Sequence, residues 1–200
     1  MRIPVGMTPE TIELLDELEA FGRSNDATQS DRRAKMLNLE SEAARLVHFL
    51  VLSSHRTHVL EIGTSNGYST IWLAAALRLS GGTLTSIDRE PAKIALAREN
   101  LDRARLSDVV RLIEGEALPV VAGLGGRFDC IFFDADRTDA SRQLRALLPK
   151  LTDDALILAD NVLSHPDEVR AYVAAVDALP GFTTMTVPIG KGLHLAYRAG

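Results

Sequence analysis

Residues 59–70 read VLEIGTSNGYST, an apolar run that leads into a glycine turn and then into a new segment rich in alanine. This order predicts a buried strand, a tight turn and a helix, in which Gly63 and Gly67 let the backbone approach a ligand closely. Dinucleotide sites carry the pattern G-x-G-x-x-G, whereas three residues separate the two glycines here. Glu61 beside the turn would repel a pyrophosphate. It suits a ligand that carries ammonium and sulfonium groups.

The pattern that follows this turn alternates between strands and helices. The five strands predicted in succession cover residues 58–63, 83–87, 109–113, 128–133 and 155–159. Such repetition favours a parallel sheet with helices on both faces. Two more predicted strands, residues 182–187 and 193–198, are joined by a short glycine-rich loop and must form an antiparallel hairpin. The expected fold class is therefore α/β, a mostly parallel seven-stranded sheet with an antiparallel C-terminal hairpin strand.

The sequence pattern before the first predicted strand indicates helices. A threonine and a proline at residues 8–9 form a helix start, because a capping hydroxyl precedes proline at the first helical position. Apolar residues recur at helical spacing up to Gly22, where we expect the helix to end in a polar loop with a short helical continuation over residues 24–33. We predict an N-terminal helical extension, residues 1–57, which packs on the same domain as a lid or a dimer contact. The ligand-binding domain would then comprise residues 58–200.

Composition bounds the class of protein. The 200 residues fit one domain, and the net charge of −5 argues against nucleic acid as a partner, because phosphate binding needs a basic face. The single cysteine, Cys130, excludes an internal disulfide framework and a cysteine-cluster metal site. No stretch approaches the roughly twenty apolar residues of a membrane span, and the N-terminus lacks the pattern of an export signal. We therefore expect a cytoplasmic protein that binds neither nucleic acid nor membrane.

Ligands in sheets of this kind bind beyond the carboxyl ends of the strands. The second predicted strand ends at Asp88, 21 residues after Gly67, where a carboxylate can accept hydrogen bonds from both hydroxyls of a ribose. The alternative is that Asp88 caps the helix that starts at Pro91. The third strand leads to residues 115–117, a candidate wall on the adenine side of a nucleoside.

The fourth and fifth predicted strands both end in side chains that carry oxygen. Asp134 follows the fourth strand, and Asp160 and Asn161 follow the fifth. Buried carboxylates are costly unless they are paired or bind a metal. Two carboxylates and an amide oxygen are hard ligands that suit Mg²⁺ or Ca²⁺. Helix capping explains the two aspartates about as well as a metal does, whereas the Asp-Asn pair directly after a strand favours the metal.

Together these stretches resemble the cation-dependent O-methyltransferases of the catechol and caffeoyl-CoA type. Besides the glycine turn, the motifs that carry the resemblance are LTSID (84–88), FDCIFFDAD (128–136), LADN (158–161) and GKGLHLAYR (190–198). The resemblance implies a Rossmann-like class I methyltransferase sandwich. The residues that it assigns to S-adenosyl-L-methionine are Asn38, Glu61, Gly63, Thr64, Ser69, Asp88, Ala117 and Asp134. It assigns a divalent metal, Mg²⁺ before Ca²⁺ or Mn²⁺, to Asp134, Asp160 and Asn161.

One position departs from that family, whose members commonly carry a lysine, assigned as the base, three residues after the first metal aspartate. This chain has Arg137 there, and a guanidinium cannot exchange a proton at neutral pH. Arg137 would either add positive charge or be a solvated residue at a helix start. Lys191 lies in the turn after the sixth strand, which we expect to run parallel to the others and to open on the same edge as Asp134. We predict that Lys191 handles the proton or positions the acceptor, the alternative being an exposed hairpin lysine.

The function expected from these residues and the resemblance is methyl transfer from S-adenosyl-L-methionine to a hydroxyl of a small molecule. The acceptor would be catechol-like or phenolic and held by the metal, and the enzyme would be a homodimer. Two other classes stay open from the residues alone. A nicotinamide-dependent Rossmann oxidoreductase is disfavoured by the glycine spacing. The second is a non-catalytic protein that binds S-adenosylmethionine, in which Arg137 would mark the loss of the catalytic activity.

Overall fold

The computed structural model describes residues 3–135, 139–164 and 166–200. The helices in these ranges are α1 (Pro9–Thr28), α2 (Ser41–Ser53), α3 (Tyr68–Ser80), α4 (Pro91–Arg103), α5 (Ala117–Gly123), α6 (Ala140–Leu147) and α7 (Pro166–Asp177). The strands are β1 (His58–Ile62), β2 (Thr83–Asp88), β3 (Val110–Glu114), β4 (Phe128–Phe133), β5 (Leu151–Ala159), β6 (Thr183–Val187) and β7 (Leu193–Arg198). None of the described helices combines the length and the apolarity that crossing a bilayer requires.

The strands form one sheet in the order β3-β2-β1-β4-β5-β7-β6. The central strand β1 pairs in parallel with β2 and β4, and the pairs β2–β3 and β4–β5 are also parallel. β7 is antiparallel to both β5 and β6, so β6 runs in the same direction as β1 to β5. In the described part of the chain, the predicted α/β fold with a mostly parallel seven-stranded sheet and an antiparallel C-terminal strand is confirmed.

Helices cover both faces of the sheet, which explains why its inner strands read as continuous apolar runs. Successive residues of β1 point to opposite faces. Val59 joins a core with side chains of α1 to α4. Leu60 joins a second core with side chains of α5 to α7. The N-terminal helices α1 and α2 therefore bury their apolar stripes in the same core as α3.

The first helix extends further than the sequence predicts. The predicted helix end at Gly22 is wrong, because α1 continues to Thr28. The predicted short helical continuation is thus the last part of α1, and the predicted loop begins only at Gln29. Gly22 is buried inside the helix, where an added Cβ would lie 2.6 Å from Nδ2 of Asn38. This glycine therefore marks a close contact between α1 and the segment that follows it, and not the end of the helix.

The segment between α1 and α2 is held in place by Asp26. Its carboxylate accepts hydrogen bonds from the backbone N–H groups of Met36 (2.7 Å) and Leu37 (2.9 Å). Leu37 has a φ of 51°, a left-handed backbone conformation that costs energy for a residue other than glycine. The hydroxyl of Ser65 donates to the carbonyl oxygen of Met36 (2.6 Å). The segment is thus fixed next to the glycine turn.

The carboxyl ends of β1 and β4 meet at Gly63. The N–H of Gly63 donates to the carbonyl oxygen of Ile87 (2.9 Å), and the N–H of Asp134 donates to that of Ile62 (2.8 Å). Gly63 has a φ of 110°, and an added Cβ would lie 2.2 Å from the carbonyl oxygen of Asp134. The obstacle is backbone, so it cannot move aside without disturbing the pairing of β1 with β4.

We expect Gly63→Ala to lower the free energy of unfolding by about 2–6 kcal/mol, because backbone strain and overpacking each cost about 1–3 kcal/mol. Gly81→Ala is the matched control, since Gly81 is also left-handed (φ 67°) and has no heavy atom within 4 Å of an added Cβ. Gly81→Ala should lower the free energy of unfolding by only about 1–2 kcal/mol. Urea unfolding followed by circular dichroism measures both variants. Equal losses in the two variants would contradict the contact with Asp134.

Candidate active site

A cavity of about 690 Å³ opens at the carboxyl edge of the sheet. Its wall combines the glycine turn, the ends of β2, β4 and β5, the segment between α1 and α2, and the turn between β6 and β7. The wall includes Asn38, Gly63, Thr64, Ser69, Asp88, Ala117, Asp134, Asn161 and Lys191, all of which the sequence singles out. Glu61 and Asp160, which the sequence also singles out, do not line this cavity. The volume is in the range of ligand pockets, about 300–1,000 Å³.

The glycine turn is held by hydrogen bonds within the protein. The hydroxyls of Thr64 and Ser86 are 2.6 Å apart, and the N–H of Ser65 donates to Oδ2 of Asp88 (2.8 Å). Sequence reasoning missed Ser65, although its place between the two glycines is a signal that could have found it. Its second contact, with the carbonyl oxygen of Met36, depends on how the N-terminal segment folds.

Glu61 lies beneath the turn and is fully buried. Its Oε1 accepts a hydrogen bond from Ser69, and its Oε2 accepts hydrogen bonds from Thr70 and Ser86, each at 2.6 Å. Burial raises the pKa of Glu61 to about 7, although the three hydroxyl donors oppose this rise. The structure therefore does not bring Glu61 to the cavity wall. It places Glu61 where its carboxyl group joins β1, α3 and β2.

Asp88 ends β2 and lines the cavity. Its Oδ2 accepts the hydrogen bond from Ser65, and its Oδ1 accepts one from the N–H of Glu90 (3.0 Å). The N-cap of α4 is Glu90, so the capping alternative for Asp88 is wrong. Each oxygen of a carboxylate can accept more than one hydrogen bond. Asp88 therefore keeps the capacity to bind hydroxyl groups of a ligand.

Asp134, Asp160 and Asn161 follow the neighbouring strands β4 and β5. Asp134 and Asn161 line the cavity, whereas Asp160 is 6% exposed and lines an adjoining cavity of about 20 Å³. Burial raises the pKa of Asp134 well above its usual range, and the carboxylate of Asp160 raises it further. Across residues 3–135, 139–164 and 166–200, no three His, Cys, Asp or Glu side chains are grouped as a metal site. A metal here would thus need the amide oxygen of Asn161 besides the two carboxylates.

Lys191 lies in the cavity wall, on the edge that the parallel direction of β6 predicts. Its Nζ is 2.6 Å from Oε1 of Glu40, the residue that precedes α2. Sequence reasoning missed Glu40, because nothing local connects it to a turn 150 residues further along the chain. The ammonium of Lys191 lowers the pKa of Asp134 and so opposes the carboxylates around it. Arg137, the other candidate catalytic residue, lies outside the described residues.

The N-terminal segment contributes Leu37 and Asn38 to the wall. Nδ2 of Asn38 donates to the carbonyl oxygen of Leu18 (2.9 Å), which ties this part of the wall to α1. Leu37 is 43% exposed although its side chain is apolar. Sequence reasoning missed it, because its position depends on the carboxylate of Asp26, 11 residues away. The segment between α1 and α2 therefore forms part of the cavity wall.

Comparison with known proteins agrees with this arrangement. Residues 60–162 match a family model described as a methyltransferase domain. A catechol O-methyltransferase of Niastella koreensis is 34% identical over 68% of this chain and 64% of its own length. One of Mycobacterium tuberculosis is 33% identical over 78% of this chain and 72% of its own length. The crystal structure of a methyltransferase from Geobacter sulfurreducens is 25% identical, with a TM-score of 0.79 over 98% of this chain and 92% of that one.

The fold, the cavity and these matches define the class of the S-adenosylmethionine-dependent methyltransferases. Within it, the chain belongs to the family of O-methyltransferases that includes the catechol and caffeoyl-CoA enzymes, as the sequence motifs predict. The match spans just under two thirds of the length of the Niastella relative. Membership of this family argues against the alternative of a nicotinamide-dependent oxidoreductase.

We expect Asp88→Ala to weaken S-adenosylmethionine binding by about 1–3 kcal/mol, because hydrogen bonds to a charged acceptor are lost. Isothermal titration calorimetry measures the affinity. Asp88→Asn should lose less binding free energy than Asp88→Ala, since its amide group keeps one acceptor oxygen. Asp102→Ala, which removes an exposed carboxylate from α4, should bind like the parent. If Asp88→Ala binds S-adenosylmethionine as tightly as the parent, Asp88 does not bind the donor.

We expect Glu61 to make the protein less stable as the pH rises. The pKa of its carboxyl group rises from 4.5 to about 7 on folding, so this contribution is full below about pH 4.5 and is lost as the pH rises through about 7. The loss amounts to at most about 3 kcal/mol. Glu61→Gln cannot ionise and should lose less stability than the parent between pH 5 and pH 8, measured by urea unfolding. Glu99→Gln, an exposed control on α4, should behave like the parent. Parallel pH profiles for Glu61→Gln and the parent would show that Glu61 does not carry the effect.

Proposed function

We propose that this chain transfers the methyl group of S-adenosyl-L-methionine to a hydroxyl oxygen of a small catechol-like or phenolic acceptor that a divalent metal helps to hold. One observation carries the proposal. A single cavity wall contains the glycine turn and Asp88 together with Asp134 and Asn161. The methyl donor and the acceptor would thus lie next to each other. Holding two reactants in line lowers a barrier by about 7–11 kcal/mol in favourable cases.

In this proposal the donor is bound by residues of the turn and by the strand ends around it. The residues proposed to line its site are Asn38, Gly63, Thr64, Ser69, Asp88, Ala117 and Asp134. Glu61 would act from beneath the turn, through the hydroxyl of Ser69. Asp88 would bind the ribose hydroxyls. The carboxylate of Asp134 would favour the positively charged end of the donor.

The proposed metal ligands are Asp134, Asp160 and Asn161, with Mg²⁺ as the first candidate and Ca²⁺ or Mn²⁺ after it. Their fit to such an ion rests on chemistry and on charge. All three offer hard oxygen donors, and the two carboxylates repel each other in a site of low exposure. Ionising a phenol at pH 7 costs roughly 4 kcal/mol. A bound divalent cation would supply part of this by stabilising the negative charge on the acceptor oxygen.

Lys191 and Arg137 are proposed to act on the acceptor side. The ion pair with Glu40 supports a positioning role for Lys191, because removing a proton from its ammonium group would break that pair. The remaining N–H groups of Lys191 can donate hydrogen bonds to an oxygen of the acceptor. Arg137 keeps its charge at neutral pH. It would add positive charge without taking up a proton.

We also propose that residues 1–57 cover the donor and that the enzyme is a homodimer. Leu37 and Asn38 in the cavity wall support the first point. The apolar side chains of Val5 and Phe49, which are 68% and 61% exposed, support the second. Light scattering tests the dimer. A monomer at micromolar concentration would contradict it.

Two measurements test the proposed function. Calorimetry should show binding of S-adenosylmethionine and S-adenosylhomocysteine, and no binding of NADH. Mass spectrometry should then detect a methylated product when catechols and simple phenols are offered together with Mg²⁺. Donor binding without turnover of any acceptor would leave a non-catalytic binding protein as the better account.

We expect Asp160→Ala to lower metal-stimulated turnover by at least about tenfold, because changes at and around metal ligands cost 10–100-fold in affinity or activity. Donor affinity should change little. Metal titration calorimetry gives a readout that does not depend on turnover. Asp167→Ala removes an exposed carboxylate from α7 and should match the parent. Full activity of the parent after treatment with a chelator would contradict the proposed metal site.

A further inference from the structure

The ion pair between Glu40 and Lys191 joins two parts of the cavity that are distant in sequence. Glu40 directly precedes α2, and Lys191 lies in the turn between β6 and β7. Nζ of Lys191 is 2.6 Å from Oε1 of Glu40, and the two side chains are 44% and 32% exposed. The pair is thus partly shielded from water. A partly shielded pair is screened less by salt than an exposed one.

The turn that carries Lys191 is packed on both sides. An added Cβ at Gly190 would lie 2.9 Å from Oε2 of Glu40, so the turn touches the N-terminal segment. On its other side, the carbonyl oxygen of Lys191 accepts a hydrogen bond from the N–H of Leu163 (2.9 Å). Leu163 lies two residues after Asn161. The backbone of Lys191 is therefore fixed relative to the end of β5, while its long side chain is directed by Glu40.

Lys191 lies on the acceptor side proposed for the cavity. It lines the same wall as Asp134 and Asn161, and its ammonium group is held there by Glu40. The position of its ammonium group therefore decides how much positive charge the acceptor side of the cavity presents.

We propose that Glu40 is a positioning residue for the acceptor. Its carboxylate holds the ammonium group of Lys191 at the cavity wall, so that the remaining N–H groups of Lys191 donate to an oxygen of the acceptor. Affinity for the acceptor thereby depends on the N-terminal segment, through one ion pair. This inference rests on the proposed methyl transfer to a small hydroxylated molecule.

Steady-state kinetics with the best acceptor tests the proposal. Glu40→Gln keeps the shape of the side chain and removes its charge. It should raise the acceptor KM about threefold to tenfold, the size expected for one lost hydrogen bond, with kcat and donor affinity within about twofold. Lys191→Met should raise KM similarly, and the double variant should be no worse than Lys191→Met. Glu42→Gln is the control, since it removes an exposed charge from the first turn of the same helix. An unchanged KM in Glu40→Gln, or additive losses in the double variant, would overturn the proposal.

A charge exchange separates positioning from a purely structural link. The double variant Glu40→Lys with Lys191→Glu keeps an ion pair between the same elements but presents a carboxylate to the acceptor. It should have the Tm and the donor affinity of the parent and a raised acceptor KM. If its KM equals that of the parent, the pair only joins the two segments, and the proposal is wrong.

A labelling experiment tests the positioning of Lys191 by Glu40 without requiring methyl transfer. An amine-acylating reagent is applied without acceptor, and modification of Lys191 is followed by mass spectrometry. The carboxylate should protect the amine, so Glu40→Gln should be modified more than about twofold faster than the parent, as for a partly shielded pair. Equal rates would overturn the positioning role even if methyl transfer is found. Faster labelling in a protein that methylates no acceptor would retain the positioning of Lys191 and reject the proposed function.

Discussion

The backbone of Asp134 fills the space in which a side chain of residue 63 would lie, and the site is assembled around this contact. Hydrogen bonds continue the ladder beyond the strand ends on both sides of it. The N–H of Gly63 reaches the carbonyl oxygen of Ile87, and the N–H of Asp160 reaches that of Phe133 (3.0 Å). β2, β1, β4 and β5 thus end together. The residues that follow these strands lie side by side, so that the glycine turn shares one cavity with Asp134 and Asn161, while Asp160 lines the small cavity beside it.

The charge around Asp134 explains why cationic ligands suit this cavity. Besides burial, the carboxylates of Asp160, Glu61 and Glu40 all raise its pKa, and the ammonium of Lys191 opposes them. Gathering carboxylates in a shielded place is costly unless positive charge compensates. A sulfonium donor and a divalent cation would supply such charge, and a bound ion reverses the local balance. The same reasoning explains why Glu61 is surrounded by hydroxyl donors.

Much of the fold and part of the site could be predicted from the sequence. Strand ends are local features, so apolar runs followed by Asp88, Asp134 or Asn161 placed these residues on the correct edge. The direction of β6 followed from the length of its loop, which put Lys191 in the cavity wall. Long-range contacts could not be predicted in this way. The contact of Gly22 with Asn38 inside α1 joins residues far apart in sequence, and the pattern after β3 predicts a cavity wall but not the short helix α5. The Glu40–Lys191 pair and the hydroxyl contacts of Glu61 depend on elements that meet only in the folded chain.

We propose that a donor site at the glycine turn and a metal site adjoin each other where β1 and β4 meet. Both can be located in a crystal of the protein with S-adenosylhomocysteine and Mn²⁺, measured for anomalous scattering. We expect the cofactor product over the turn at Gly63, with its ribose at Asp88. We expect an anomalous peak about 2.0–2.6 Å from oxygens of Asp134, Asp160 and Asn161, the range that spans Mg²⁺ and Ca²⁺ sites. A bound product with no peak at these three residues would contradict the proposed metal site.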